Sequence, residues 1–277
     1  EVPMKILISV DMEGITGVTT WDHVTPGHAE YSRFRRIMTA DVNAAVRGAF
    51  AGGAEEVIVS DAHWNASNVL IEELDPRASL NSGSPSPQSM MQSIDQGVDG
   101  VLFVGYHARQ GSHPAVLDHT WSSTCVAGVL LNDELAGEYT LNAALAGHYG
   151  ARVLMASGDQ TACAQISGEL GDIETALVKT ATGRFSALCL PPEVTAERIE
   201  TAAQRGVRRL FDGTAPAPFV IEAPVTVAVD LVSSDMADRA MILPGATRQG
   251  VRVCFTAGDV PQAYAAFRSL VTLSYPR

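Results

Sequence analysis

Acidic and imidazole side chains follow three predicted strands, and these residue types bind divalent cations. The first strand runs into Asp11 and Glu13, which are two positions apart and therefore face the same side. The second strand is followed by Asp61 and His63, and the third by His107. Two carboxylates this close repel each other unless a cation or a proton lies between them. Carboxylate and imidazole together suit zinc, which binds both at about 2.0–2.2 Å.

Each of these residues taken alone has an ordinary structural explanation. A strand-end aspartate is more often a turn former or a helix cap, and a lone histidine is more often a structural residue. Their joint occurrence at three successive strand ends favours a functional site, because ligands bind beyond the carboxyl ends of parallel strands. His113, in a predicted loop, remains open as a further candidate.

The elements that position these residues alternate between strands and helices. Apolar runs predict strands at 5–10, 56–60, 101–104 and 152–156, and helical spacing predicts helices at 31–50 and 137–149. This alternation predicts an α/β fold, with a mostly parallel sheet covered by helices on both faces.

Pro191 and Pro192 predict a boundary between two parts of the chain. We expect an α/β metal-binding catalytic domain at 4–190. A smaller α+β C-terminal part at 191–277 is expected to pack on it, with a charged helix at 193–210 and a closing helix from residue 261.

Composition narrows the function classes. The 277 residues carry a formal net charge of −12, which disfavours binding to nucleic acid or to an anionic membrane surface. Apolar runs stay short of the roughly 18 residues of a membrane helix. The four cysteines are scattered and form no Cys-x-x-Cys pair, so neither a thiolate zinc site nor a disulfide framework is predicted. Reduced cysteines and the lack of a secretory signal pattern predict a cytoplasmic protein.

Four motifs resemble, in order, those of the zinc D-aminopeptidases of the M55 peptidase family. They are Ser9–Gly14, Ser60–His63, Gly105–Arg109, and Gly137-Glu138 with Leu141–Ala143. The resemblance runs from Met4 to about Thr180 and continues more weakly through Leu243–Gly245. Each motif alone is a weak signal, and four in register are a strong one.

The resemblance implies a dinuclear zinc centre with two zinc ions per chain. Carried over position by position, its ligands are Asp11, Glu13, His63, His107 and Glu138, and we expect Asp11 to bridge the two metals.

The family's catalytic histidine corresponds to His119. Its neighbours Asp118 and Thr120 depart from the small residue and the serine that the family usually has there.

Three further residues are expected to contact substrate: Tyr106, Arg109 and Asn142. For Arg109 a purely structural ion pair is an alternative. For Asn142, one helical turn beyond Glu138, the alternative is an amide on the helix surface.

The function implied by the resemblance is that of a metallo-aminopeptidase. Such an enzyme hydrolyses short peptides with N-terminal D-amino acids by a zinc-activated water, with His119 as general base or acid. The family's members form ring-like homodecamers, so a homo-oligomer is expected.

Two alternatives remain open. One is a related metal amidohydrolase whose substrate is not a D-peptide. The other is a peptide-binding or transport-associated protein with a structural metal. The second is disfavoured because structural zinc sites are usually closed by four ligands, often thiolates.

Overall fold

Two β-sheets organise the computed structural model, which describes residues 3–275. The strands are β1 (Lys5–Val10), β2 (Glu56–Asp61), β3 (Ala78–Asn81), β4 (Gly100–Val104), β5 (Val126–Leu131), β6 (Glu134–Leu135), β7 (Arg152–Asp159), β8 (Glu174–Gly183), β9 (Ser186–Cys189), β10 (Val225–Leu231), β11 (Thr247–Gln249) and β12 (Arg252–Ala257). The α-helices are α1 (Trp21–Val24), α2 (Tyr31–Gly52), α3 (Glu138–His148), α4 (Gln160–Leu170), α5 (Pro192–Phe211), α6 (Ser234–Ala240) and α7 (Val260–Ser274).

The larger sheet has seven strands in the order β3-β2-β1-β4-β7-β8-β9. All neighbouring pairs in it are parallel except β8 with β9. The second sheet has the order β11-β12-β10-β5-β6 and is antiparallel. The predicted α/β fold with a mostly parallel sheet is therefore confirmed.

Alternate residues of the parallel strands face two separate apolar cores. On β1, Ile6 and Ile8 lie in the core formed with α2 and α5, whereas Leu7 lies in the core on the other face. That second core also contains residues of α3, α4, α7 and the antiparallel sheet. A strand buried on both faces reads as a continuous apolar run, as β1 does.

The two predicted parts of the chain are interwoven. β5 and β6 precede residue 190 but pair with the later strands of the antiparallel sheet. α5 follows residue 191 but packs on α2, against the parallel sheet. The division into 4–190 and 191–277 stays a proposal, and residues 276–277 lie outside the described range.

Within residues 3–275, no helix has both the length and the apolar character needed to cross a membrane.

Glycines allow α2 and α5 to approach closely. A Cβ on Gly48 would lie 2.3 Å from the Glu200 carbonyl oxygen and 2.8 Å from the Ala203 Cβ. Gly168 in α4 differs, since a Cβ there would meet nothing within 4 Å.

These two glycines provide a matched test of helix packing. Although alanine favours helix over glycine, Gly48→Ala should lower the free energy of unfolding by about 1–3 kcal/mol, because the added methyl overpacks the interface. Gly168→Ala should raise it by about 0.5–1 kcal/mol. Urea denaturation of both variants measures the difference. Equal stabilisation by the two substitutions would contradict the close contact.

Candidate metal centre

Three adjacent parallel strands bring the predicted ligands to one edge of the sheet. β1 lies between β2 and β4, with Val10 paired to Asp61 on one side and to Val104 on the other. The ends of the strands are therefore level. Asp11 follows β1 directly, and His63 and His107 lie in the segments that leave β2 and β4.

The five predicted ligands converge in a buried cluster. The Nδ1 atom of His63 lies 3.2 Å from Asp11 Oδ1 and 3.2 Å from Glu13 Oε2. The Nε2 atom of His107 lies 3.3 Å from Asp11 Oδ2 and 3.2 Å from Glu138 Oε1. Asp11 thus turns one carboxylate oxygen towards each histidine. Glu138 reaches the cluster from the first residue of α3.

His119 lies beside this cluster, on the segment between β4 and β5. Its Nε2 atom is 3.7 Å from Glu138 Oε1 and 3.9 Å from Glu13 Oε1. Its ring stacks on that of His107 with the centroids 4.0 Å apart. His113, the other candidate on this segment, is exposed. The geometry therefore favours His119 over His113 as the third histidine of the site.

Backbone carbonyls fix the orientation of all three imidazoles. The bonds run from His63 Nε2 to Val24 O (2.8 Å), from His107 Nδ1 to Ala108 O (3.0 Å) and from His119 Nδ1 to Leu117 O (2.8 Å). A carbonyl oxygen only accepts, so the ring nitrogen that meets it must donate its proton. In a neutral imidazole the other nitrogen then presents a lone pair, and here that nitrogen faces the carboxylates.

The cluster therefore holds many acceptors and few donors. Asp11, Glu13 and Glu138 are all buried, and together they contribute three negative charges when ionised. Among the described residues, Glu13 Oε2 and His107 Nε2 are buried without a hydrogen-bond partner. Such atoms are rare in folded proteins, since leaving them unpaired is costly. Cations or additional protons must balance the cluster.

The arrangement of donor atoms fits divalent metal. Two overlapping groups have their potential ligand atoms within 4.8 Å of one another, and they share His107. One also contains Asp11 and Glu13, and the other contains His119 and Glu138. Carboxylate oxygen and imidazole nitrogen are the ligands that zinc takes in mixed sites.

The charges of the cluster move the pKa values of the histidines in opposite directions. Burial alone would lower the pKa of His63, but the carboxylates of Glu13 and Asp11 raise it well above its usual value. For His107 too, burial alone would lower the pKa, but the carboxylates of Glu138 and Asp11 raise it well above its usual value. Burial, reinforced by the nearby His107, lowers the pKa of His119. His119 is thus the histidine of the three that favours the neutral form.

The cluster opens into a cavity of about 840 Å³. Asp11, Glu13, His63, His119 and Glu138 all border this cavity. Four aromatic residues, Trp21, Trp64, Trp121 and Tyr275, also border it, together with several serines and threonines. The wall therefore offers both apolar contact and hydrogen-bonding groups to a small molecule.

The short helix α1 contacts two of the three histidines. Trp21 meets the ring of His119 edge-on, with the centroids 5.4 Å apart. Val24 supplies the carbonyl that orients His63.

Tyr106, Arg109 and Asn142 lie behind the cluster and not on the cavity wall. The Tyr106 hydroxyl is 2.7 Å from Ser9 Oγ and accepts a bond of 2.8 Å from Asn142 Nδ2. Arg109 donates to the hydroxyl of Tyr139. Their predicted contact with substrate stays a prediction, because the observed contacts are to buried protein groups.

Asp61, which also follows a strand, is occupied by its own turn. Its carboxylate accepts hydrogen bonds from the backbone N–H groups of Asn68 and Val69 and from the Asn68 side chain. It therefore takes the turn-forming role that was the ordinary alternative for such residues.

Lys179 supports the segment that carries Asp11 and Glu13, and it was not identified from the sequence. This buried residue of β8 donates from Nζ to the carbonyl oxygens of Glu13 (2.6 Å), Ile15 (2.9 Å) and Val18 (2.7 Å). Burial lowers the pKa of Lys179 to about 8, so the ammonium still holds its three protons at neutral pH. A charged residue within an apolar strand was the available signal.

The resemblance to known proteins agrees with this site. Residues 4–269 match the model of peptidase family M55, described as D-aminopeptidase. The chain belongs to the M55 family. The D-aminopeptidase of Bacillus subtilis strain 168 is 35% identical in an alignment of 276 residues that covers 98% of each chain.

A solved structure extends the similarity to the fold. It is that of the Zn-dependent D-aminopeptidase DppA from Bacillus subtilis, which is described as a self-compartmentalizing protease. The two chains superpose with a TM-score of 0.92 at 32% identity, over 98% of each. The family predicted from four motifs is confirmed, and so is the α/β fold predicted from the alternation of strands and helices.

Removing the ammonium of Lys179 should weaken metal binding, because the segment carrying two predicted ligands loses its anchor. We expect Lys179→Met to reduce zinc affinity by about 10–100-fold, as for other groups that orient ligands. Competition with a chromophoric chelator measures this affinity. Lys5→Met is the matched control, since Lys5 lies at the opposite end of β1 and pairs with Glu56.

Lys179→Arg, which keeps the charge and the donors, should restore part of the affinity. A Lys179→Met protein that binds zinc as tightly as the Lys5→Met control would contradict the anchoring role.

Proposed function

We propose that the chain is a zinc-dependent aminopeptidase that hydrolyses short peptides with an N-terminal D-amino acid. The observation that carries this proposal is the convergence of three buried carboxylates and three oriented imidazoles in one cluster, five of whose six residues border the same cavity. The names of the two relatives, both D-aminopeptidases and one of them Zn-dependent, support the substrate class and the metal.

The proposed metal ligands are Asp11, Glu13, His63, His107 and Glu138. The proposed metal content is two zinc ions per chain. Asp11 is suited to bridge two ions, because Oδ1 faces His63 and Oδ2 faces His107. Glu13 lies on the His63 side of Asp11, and Glu138 lies on the His107 side. Each metal position is thereby offered both nitrogen and oxygen donors.

Bound zinc lowers the pKa of water towards about 7 and polarises a carbonyl group, which is the chemistry that amide hydrolysis needs. The protein supplies the proton transfer through His119. Its ring is held through Nδ1 by Leu117 O, which leaves Nε2 available, and the residue borders the cavity. Since its lowered pKa favours the neutral imidazole, it can accept a proton from the attacking water and pass it to the leaving amine.

The acidic residues of the cluster also suit an aminopeptidase. A free N-terminal amine would be able to bind a zinc ion or to donate to a carboxylate of the cluster, whereas an acylated nitrogen has no lone pair to offer a metal. The tryptophans of the wall offer apolar contact to substrate side chains.

We further propose a homo-oligomer located in the cytoplasm. The relative described as self-compartmentalizing supports an assembly of subunits, and a decamer follows from the family resemblance. Exposed apolar side chains such as Ile242 and Val232 offer surface for subunit contacts.

A peptide panel tests the proposed activity. Purified protein with added zinc should release the N-terminal residue from D-Ala-D-Ala and D-Ala-Gly. It should act far more slowly on L-Ala-L-Ala and on N-acetylated peptides, and a chelator should abolish all turnover. Chromatography of the free amino acids measures the products. Hydrolysis of L-peptides or blocked amides without hydrolysis of D-peptides would overturn the proposal.

Replacing His119 separates proton transfer from metal binding. We expect His119→Ala to keep its zinc and to lose about 10²–10⁴-fold in kcat, the usual contribution of a general acid–base group. His113→Ala is the control, because His113 is exposed on the same segment. Zinc analysis measures the metal content of both variants, and steady-state kinetics measures their kcat. A wild-type rate would exclude His119 as the proton carrier, and loss of zinc would reassign it as a ligand.

A further inference from the structure

One positively charged residue stands out on the wall of the cavity. Within residues 3–275, Arg268 is the only lysine or arginine that borders it, whereas three carboxylates do. When the cluster holds its metal ions, the carboxylates are neutralised. Arg268 is then the permanently charged side chain of this wall with which an anionic group on a substrate can pair.

The position of Arg268 is fixed by the packing of α7. Arg268, Thr272 and Tyr275 follow one another at helical spacing, and all three border the cavity. One residue before Arg268, Phe267 packs edge-on against Trp121 with the ring centroids 5.1 Å apart. The backbone N–H of Trp121 donates to Glu138 Oε1 at 2.6 Å, so this contact ties the α7 wall to the cluster.

The guanidinium of Arg268 is oriented but not neutralised. Nη1 donates to the carbonyl oxygen of Pro87 (2.5 Å), and Nη2 donates to that of Ser86 (2.9 Å). Both acceptors are uncharged, and Arg268 forms no ion pair with any carboxylate in the described part of the chain. A guanidinium has five N–H donors, and these two bonds leave others available.

We propose that Arg268 binds the C-terminal carboxylate of the peptide substrate. Arginine recognises carboxylate well, because its planar fork of donors matches the two oxygens. In this arrangement the N-terminal amine lies at the metal-binding cluster and the C-terminal carboxylate lies at α7, within one cavity. The preferred substrates are thus short peptides with both termini free. This inference rests on the proposed peptidase activity and specifies its substrate class.

Holding the segment at Ser86 and Pro87 is a second role that Arg268 could have, and kinetics distinguishes the two. A residue that only supports the wall affects every substrate alike. A residue that binds the carboxylate affects peptides that have one and leaves the corresponding amides unchanged.

The test compares D-Ala-D-Ala with its C-terminal amide. Wild-type protein should prefer the free acid by about 10–100-fold in kcat/KM, the range expected for a hydrogen-bonded charge pair. Arg268→Gln should raise KM for the acid and leave the kinetics on the amide nearly unchanged. Because the arginine–carboxylate pair is lost, the preference for acid over amide should fall to about twofold or less. Arg268→Lys should keep part of the preference. Arg248→Gln, at a surface residue paired with Asp238, is the matched control.

Two results would overturn the inference: equal hydrolysis of acid and amide by the wild type, or an equal loss on both in Arg268→Gln. Calorimetric binding of the same two ligands to the zinc-loaded His119→Ala protein supplies a readout that needs no turnover. If neither ligand is hydrolysed by the wild type, the proposed activity fails. The calorimetric difference between acid and amide still decides the role of Arg268.

Discussion

The site depends on backbone carbonyls that orient three buried imidazoles. Each carbonyl accepts a hydrogen bond from one ring nitrogen, so the other nitrogen of His63, His107 and His119 faces the carboxylates. In a neutral ring that nitrogen carries a lone pair, and lone pairs and negative oxygens at 3.2–3.3 Å repel each other unless positive charge lies among them. The raised pKa values of His63 and His107 indicate that protons can supply this charge, and zinc ions supply it in the proposed chemistry.

The surrounding fold holds these groups in place from several directions. Level ends of three parallel strands bring in the residues that follow β1, β2 and β4. Lys179 ties down the segment after β1 through three carbonyls. Behind the cluster, Asn142 bonds to Tyr106 and accepts a bond from Tyr264 of α7. Because α7 also carries Arg268, the C-terminal helix connects the support of the cluster with the far wall of the cavity.

How far the sequence predicts the site depends on the range of the interactions involved. Apolar runs revealed β1, β2 and β4, and hence the shared edge where Asp11 and His63 meet. Asp11 and Asp61 could not be separated this way, since both follow strands and only the amides of Asn68 and Val69 engage Asp61. Glu138 and His119 required the family resemblance, because a helix start and a loop carry no periodic signal. The role of Lys179 could not be predicted from the sequence, because its carbonyl partners lie more than 160 residues away along the chain.

Anomalous diffraction at the zinc edge, from crystals of the zinc-loaded protein, shows whether the cluster holds a pair of metal ions. We expect two peaks per chain, about 3.5–4 Å apart as in other paired sites, on either side of the Asp11 carboxylate. One peak should lie beside His63 and Glu13, and the other beside His107 and Glu138. No peak at these residues, or a single peak that leaves one of the two histidines without metal, would contradict a paired metal site.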